Sequence, residues 1–338
     1  MAKCFLTYEQ QIDKLINEKG LLIADRKYAE DVLKRTSYYS LISGYKDLLK
    51  NPTTKAYRDD TRLEDIVALY DFDRMLRELF LSYILRVENH IKSLLSYAFC
   101  EKYGESQNAY LNKQNYNYSG RRNKADIDKL VDHVLTKHVI HNTDYHYINH
   151  ARTVHGNVPL WILKNALTFG NISVMYSVLP QDIQFKISSE FQGINESQLK
   201  QVLRYLVRFR NVCAHGERLF SYRNVESIPD FPIHKKLQIP KNGNQYIYGK
   251  HDLFAVIITL RYLLPREDFQ ELKRRLTRLI DNHSKNQQGI TQIELLKKWD
   301  SQRIGRKSPD INYKCITKLT RHRYGAAFSF LVQLVCCV

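Results

Sequence analysis

From Thr61 to Gly104 apolar side chains return every third or fourth position, at Leu69, Phe72, Leu76, Leu79, Tyr83, Val87, Ile91, Leu94 and Ala98. That spacing keeps one face of a helix against a core and predicts a single long core helix. Thr61 and Glu64 have the separation of a capping box and Gly104 offers a stop, while Arg86, Glu88 and Lys92 form a polar flank. Upstream, Ile12, Leu15 and Ile16 recur with helical spacing, Gly20 interrupts, and a second periodic run begins after Asp25. Two short helices are expected there, followed by the polar linker NPTTKAYRDD with Pro52.

Residues 105–158 carry no such period. They are polar, rich in Tyr and Asn, hold His133, His138, His141, His146, His150 and His155, and read as loop. PLWILKNALTFGNISVMYSVL then predicts a helix with Pro159 at its start and a break at Gly170. In NESQLKQVLRYLVRFRNVCAHG the apolar face is Leu199, Val202, Leu203, Leu206 and Val207, with Gly216 as the stop. Pro229, Pro232 and Pro240 forbid a continuous helix, and LQIPKNGNQYIYGK suggests a small hairpin around Asn242-Gly243. Helical spacing resumes from Asp252 to about Trp299. The expected architecture is all-α with one short β insertion. Its segments are a helical N-terminal part (1–58), a main helical domain (59–298, with the Pro-rich insertion at 222–250) and a basic tail (299–338).

Charge sharpens this picture. Against 35 Asp and Glu stand 52 Lys and Arg, a formal +17, and the last 40 residues contribute only 7 basic and 2 acidic side chains, so the remainder still carries +12. Such a surface attracts polyanions, of which RNA, DNA and anionic membrane are the usual ones. No apolar run is long enough to span a bilayer, and the N-terminus turns polar too soon for a signal peptide, so a cytoplasmic protein without membrane partners is expected. Cys4, Cys100, Cys213, Cys315, Cys336 and Cys337 show no C-x-x-C pair and fit reduced thiols.

The candidate chemistry lies in RFRNVCAHGERLF, where Arg210 precedes His215 by five positions. Spacing alone is weak, since Arg208 with His215 and Arg278 with His283 also qualify. Context separates them: Arg278 and His283 fall in a charged run expected to be a solvated helix face, whereas Gly216 ends the helix directly after His215. Residues five apart on a regular helix diverge by about 140°, so Arg210 and His215 can converge only at a helix end or across a twofold axis. Cys213 is expected as a small buried side chain, the His133–His155 group lacks a zinc-ligand spacing, and Tyr38, Tyr39 and Tyr45 are expected in the core.

Four stretches together, SYYSLISGY, LYDFDRMLRELFLSYILRVENHIKS, PLWILKNALTFGNIS and RFRNVCAHGERLF, resemble in order and spacing the Abi family of bacterial abortive-infection proteins (AbiD and AbiF type), part of the HEPN superfamily. The resemblance runs from about Thr7 to about Lys298; the tail beyond matches no motif. It implies an all-α bundle of HEPN type and an endoribonuclease without metal or cofactor, with an Arg-x4-6-His motif from each of two subunits at a dimer interface. On this chain Arg210 would hold the scissile phosphate, His215 would move the proton, and Asn211 would orient His215. Glu88, Lys92 and Arg218 are supporting candidates. The implied partners are RNA, such as tRNA or a structured non-coding RNA, a second copy of the chain, and an antitoxin or inhibitory RNA. A non-cleaving RNA-binding module is the alternative.

Overall fold

The structure is a computed structural model and describes residues 4–285 except 52, 55 and 142. Pro52 and the expected tail, 299–338, therefore lie outside the described residues. In chain order the helices are α1 (Tyr8–Asp13), α2 (Arg26–Thr36), α3 (Gly44–Leu49), α4 (Leu63–Tyr103), α5 (Gln107–Leu111), α6 (Arg121–Asp128), α7 (Thr136–Ile140) and α8 (His146–His155). They continue with α9 (Leu160–Leu163), α10 (Phe169–Val178), α11 (Gln181–Ser188), α12 (Glu196–Ala214), α13 (Pro232–Lys236), α14 (Leu253–Leu263) and α15 (Arg266–Lys285). β1 (Lys241–Asn242) and β2 (Gln245–Tyr246) pair antiparallel, and Gly243 turns between them with φ +58°. The protein is thus all-α with a small hairpin. No helix of the described residues is long and apolar enough to cross a membrane.

The described residues form two compact units, one from 4–79, 216–222 and 270–285, the other from 80–215 and 223–269. In the first, α2 begins where the Asp25 side chain accepts the Tyr28 amide, and Gly20 breaks the chain at φ +67°. A third helix, α3, follows the two that the spacing predicts. The start of α4 differs from expectation. Leu22 pairs in extended fashion with Arg62, its amide bonding the Thr61 carbonyl and its carbonyl the Leu63 amide. This holds residues 61 and 62 outside the helix, so Arg62 precedes its first turn and donates its amide to the Asp65 side chain at 2.9 Å, in place of a Thr61–Glu64 box. His283 also departs from the solvated face expected of it. It is 9% exposed and stacks on Phe72 at 4.4 Å, and burial pushes its pKa down to about 4.

The second unit is built around the C-terminal part of α4, where Phe80, Tyr83, Ile84, Val87, Ile91, Leu95 and Phe99 are buried. A helix apolar over so wide an arc belongs inside a core. Residues 105–158 are not loop. Ile127, Leu130, Val131, Leu135 and Val139 are buried at helical spacing, a period that interleaved His, Lys and Asp side chains dilute. Ser106 caps α5, and Gly156, at φ +63°, ends α8. The break after Pro159 runs from Lys164 to Thr168, before Gly170. Thr168 accepts the Asn171 amide while the Asn171 side chain takes the Thr168 amide, and this capping box places Gly170 inside α10. α10 and α11 pack against α12, which a second box, Asn195 with Gln198, starts. Phe209, fully buried, packs with its ring tilted against Tyr205 at 5.0 Å, and the Tyr205 hydroxyl donates to the Asp252 carbonyl at 2.9 Å. Truncating such a ring to Ala costs about 3–5 kcal/mol, so the last turns of α12 are firmly held.

Candidate functional site

Glu88 and Lys92 lie one turn apart on α4 and are 4% and 7% exposed. Lys92 Nζ meets Glu88 Oε1 at 2.8 Å, and Arg210 Nε on α12 lies 3.6 Å from Glu88 Oε2. One buried carboxylate therefore serves two cations. The Arg210 contact is an ion pair looser than a hydrogen bond, and neither Arg210 Nε nor Glu88 Oε2 has a hydrogen-bond partner. The Arg210 side chain keeps 29% of its surface exposed, leaving part of its planar fork open to an anion. Lys164, just after α9, feels the Lys92 charge: burial first, and Lys92 second, push its pKa below the ordinary lysine value. Arg86, further up the polar flank of α4, is committed to Asp268 at 2.6 Å.

His215 caps α12. Its backbone leaves the helix at φ −91°, ψ 5°, its amide still bonds the Asn211 carbonyl at 2.9 Å, and Gly216 follows at φ +68°, where a side chain is strained. The imidazole is exposed and bonds no other described residue. Asn211 touches His215 through its backbone carbonyl; among the described residues its side chain makes no hydrogen bond. The structure thus joins Arg210 to Glu88 and Lys92 and sets His215 at the end of the same helix. Cys213 is buried at 7%. Arg218 is exposed and donates to the Gly44 carbonyl. Of the tyrosines, Tyr45 is buried, Tyr38 is half-buried, and Tyr39 is 75% exposed, against expectation, beyond the point where Ser37 breaks the helix at φ +62°. Among the described residues no three His, Cys, Asp or Glu side chains gather as a metal site would need.

Sequence reasoning missed Asp73. This carboxylate, fully buried, accepts four hydrogen bonds: Tyr45 Oη and Arg77 Nη1 at 2.7 Å, the Leu219 amide at 3.0 Å and the Phe220 amide at 2.7 Å. Arg77 also donates to the Glu217 carbonyl at 3.3 Å. Burial pushes the Asp73 pKa up, and Tyr45, Arg77 and the two amides pull against it. The segment that follows His215 is thereby pinned by its backbone. A signal existed: Asp73 and Arg77 stand four apart inside the apolar stripe of α4, where an unpaired charge would be costly.

In this all-α protein a charged pair on the long core helix α4 thus meets an arginine near the end of α12, the helix that His215 caps and Gly216 follows. Residues 31–221 match the family model described as Abi-like protein, and the chain belongs to that family. Membership suggests a part in abortive infection, the defence of bacteria against phage. No curated protein matches the chain. No solved structure matches it either. The matched span covers Tyr45, Asp73, Arg77, Glu88, Lys92, Lys164, Arg210 and His215, so both charge clusters are built from the family's own segments.

Proposed function

We propose that the protein is an endoribonuclease of HEPN type acting in phage defence, with Arg210 and His215 as catalytic residues, Asn211 beside them, and Glu88 and Lys92 as positioning residues. The observation that carries this reading is the buried Glu88 carboxylate. It holds Arg210 beside Lys92, and so presents two cations about one and a half turns before an exposed, unengaged histidine. In the proposed step His215 takes the proton of a ribose 2′-hydroxyl, and that oxygen attacks the adjacent phosphorus. The bond to the 5′-oxygen breaks, and the leaving oxygen takes a proton from the imidazolium of a symmetry-related His215. Arg210 stabilises the charge gathering on the non-bridging oxygens. The products are a 2′,3′-cyclic phosphate and a 5′-hydroxyl. A homodimer supplies the two copies, and RNA, such as tRNA or a structured non-coding RNA, is the substrate.

The test is the chemistry of the RNA ends. Arg210→Ala and His215→Ala should each reduce cleavage by about 100-fold or more. Cleavage should persist in EDTA, and a 2′-deoxy substitution at the cut site should block it. Cleavage that persists in His215→Ala, or that stops with EDTA, refutes the assignment. A second reading, a non-cleaving RNA-binding module, draws on one observation: no described residue orients the His215 imidazole, as a general base usually requires. In that case RNA binds to wild type and His215→Ala alike, and no ends appear.

A further inference from the structure

Along α4, beyond Lys92, a cleft of about 590 Å3 opens in the second unit. Ser96, Tyr97, Cys100 and Glu101 line one wall and Trp161 and Lys164 the other. Its volume is in the range of small-ligand sites, roughly 300–1,000 Å3. Two features of its lining point to a ligand. The first is aromatic: Tyr97 is 65% exposed and Trp161 46% exposed. The second is electrostatic. Lys164 is half-buried and no described carboxylate pairs with its ammonium, while Lys92, the neighbouring cation that lowers its pKa, already belongs to Glu88. The two carboxylates of the lining, Glu101 and Glu105, do not supply the missing charge, since neither forms an ion pair with Lys164. Glu101 is bound by Lys186, whose ammonium also lies 5.4 Å from the Tyr97 ring centre. An anion near Lys164 joined to a flat ring beside Tyr97 and Trp161 would satisfy both features at once, and a nucleotide has that form.

We propose that this cleft is a nucleotide subsite for single-stranded RNA, in which one base stacks on Tyr97 and Trp161 and its phosphate takes Lys164 as counter-charge. Tyr97 stands nine residues along α4 from Glu88, about 13 Å of helix axis. Nine residues turn a helix by about 180°, so Tyr97 and Glu88 lie on opposite sides of α4, and it is Lys164, which feels the Lys92 charge, that links the cleft to the cluster of Glu88, Lys92 and Arg210. The proposal rests on the ribonuclease reading for the identity of its polymer, but its test involves no cleavage.

The chain contains two tryptophans, Trp161 and Trp299. In full-length protein carrying Trp299→Phe and His215→Ala, Trp161 is the sole indole reporter. A fully 2′-O-methylated hexaadenylate, which cannot be cleaved by 2′-hydroxyl attack, is titrated in. Trp161 emission should fall saturably as the base stacks. Tyr97→Ala should weaken binding by roughly 5-fold to 100-fold. Lys164→Gln should flatten the slope of log affinity against log salt by about 0.7. Tyr97 is 65% exposed and Lys164 half-buried, and matching thermal melts confirm that the variants fold. The proposal is overturned if Trp161 emission stays constant while RNA binds by anisotropy, if RNA does not bind, or if Tyr97→Ala and Lys164→Gln both bind like the parent. A responsive Trp161 together with cleavage that survives His215→Ala would remove the catalytic assignment and leave the subsite. A silent Trp161 with cleavage abolished by His215→Ala would do the reverse.

Discussion

Asp73→Asn tests how the segment after His215 is held. The carboxylate accepts from Tyr45, Arg77 and the Leu219 and Phe220 amides at 2.7–3.0 Å, with no surface exposed. An asparagine keeps the shape but has one accepting oxygen, and its amide group turns two donors toward a site that already supplies four. Arg77, only 5% exposed, is left without its counter-charge. Removing one partner of a buried pair costs about 3–5 kcal/mol, a large part of a stability typically between about 5 and 15 kcal/mol. Denaturant unfolding should show that loss, and hydrogen exchange should show Leu219 and Phe220 losing amide protection. The double variant Asp73→Asn/Arg77→Met should recover more than about 1 kcal/mol, because it removes the stranded cation. A loss below about 1 kcal/mol, or unchanged exchange at Leu219 and Phe220, would refute the claim that Asp73 pins this segment.

Glu88→Gln strands Lys92 and frees Arg210, so cleavage should fall by about tenfold or more while RNA affinity is retained or rises; an equal fall in both, read by filter binding beside end analysis, would count against a positioning role. His283 should make the protein acid-labile. Its folded pKa of about 4 lies below the ordinary 6.5, so the native state binds fewer protons in that interval. Its stabilising contribution is full above pH 6.5 and is lost as pH falls toward 4, by about 3 kcal/mol. Thermal melts at pH 7 and pH 4.5 should converge in His283→Phe, and an unchanged gap would place the lability elsewhere. RNA affinity should fall steeply between low and physiological salt, and a flat response removes the case for a basic RNA surface. Sedimentation should show a dimer; a fully active monomer would exclude a site shared between two copies.

The all-α class, the long α4, the hairpin at Asn242-Gly243 and the stop at Gly216 were legible in the sequence because each signal is local. An apolar stripe, a β-turn and a positive-φ glycine are written within a few residues of the structure they produce. The same locality made Arg210 and His215 visible as a motif. Where local signals compete, only the folded chain decided. Thr61 lost its capping role because Leu22, distant in sequence, draws residues 61 and 62 into extended pairing. Thr168 with Asn171 outweighed the nominal break at Gly170. In residues 105–158 five apolar positions at helical spacing were enough to bury one face despite the polar side chains between them. His283 reads as one more polar residue in a charged run until Phe72 is found stacked on it. The charge clusters depended most on tertiary structure. The i,i+4 pairs Asp73–Arg77 and Glu88–Lys92 can be read from the sequence, but what they serve cannot. Asp73 reaches amides 146 and 147 residues away, and Glu88 reaches Arg210 on another helix. A buried charge must find partners wherever the fold brings donors, and no local pattern records that place.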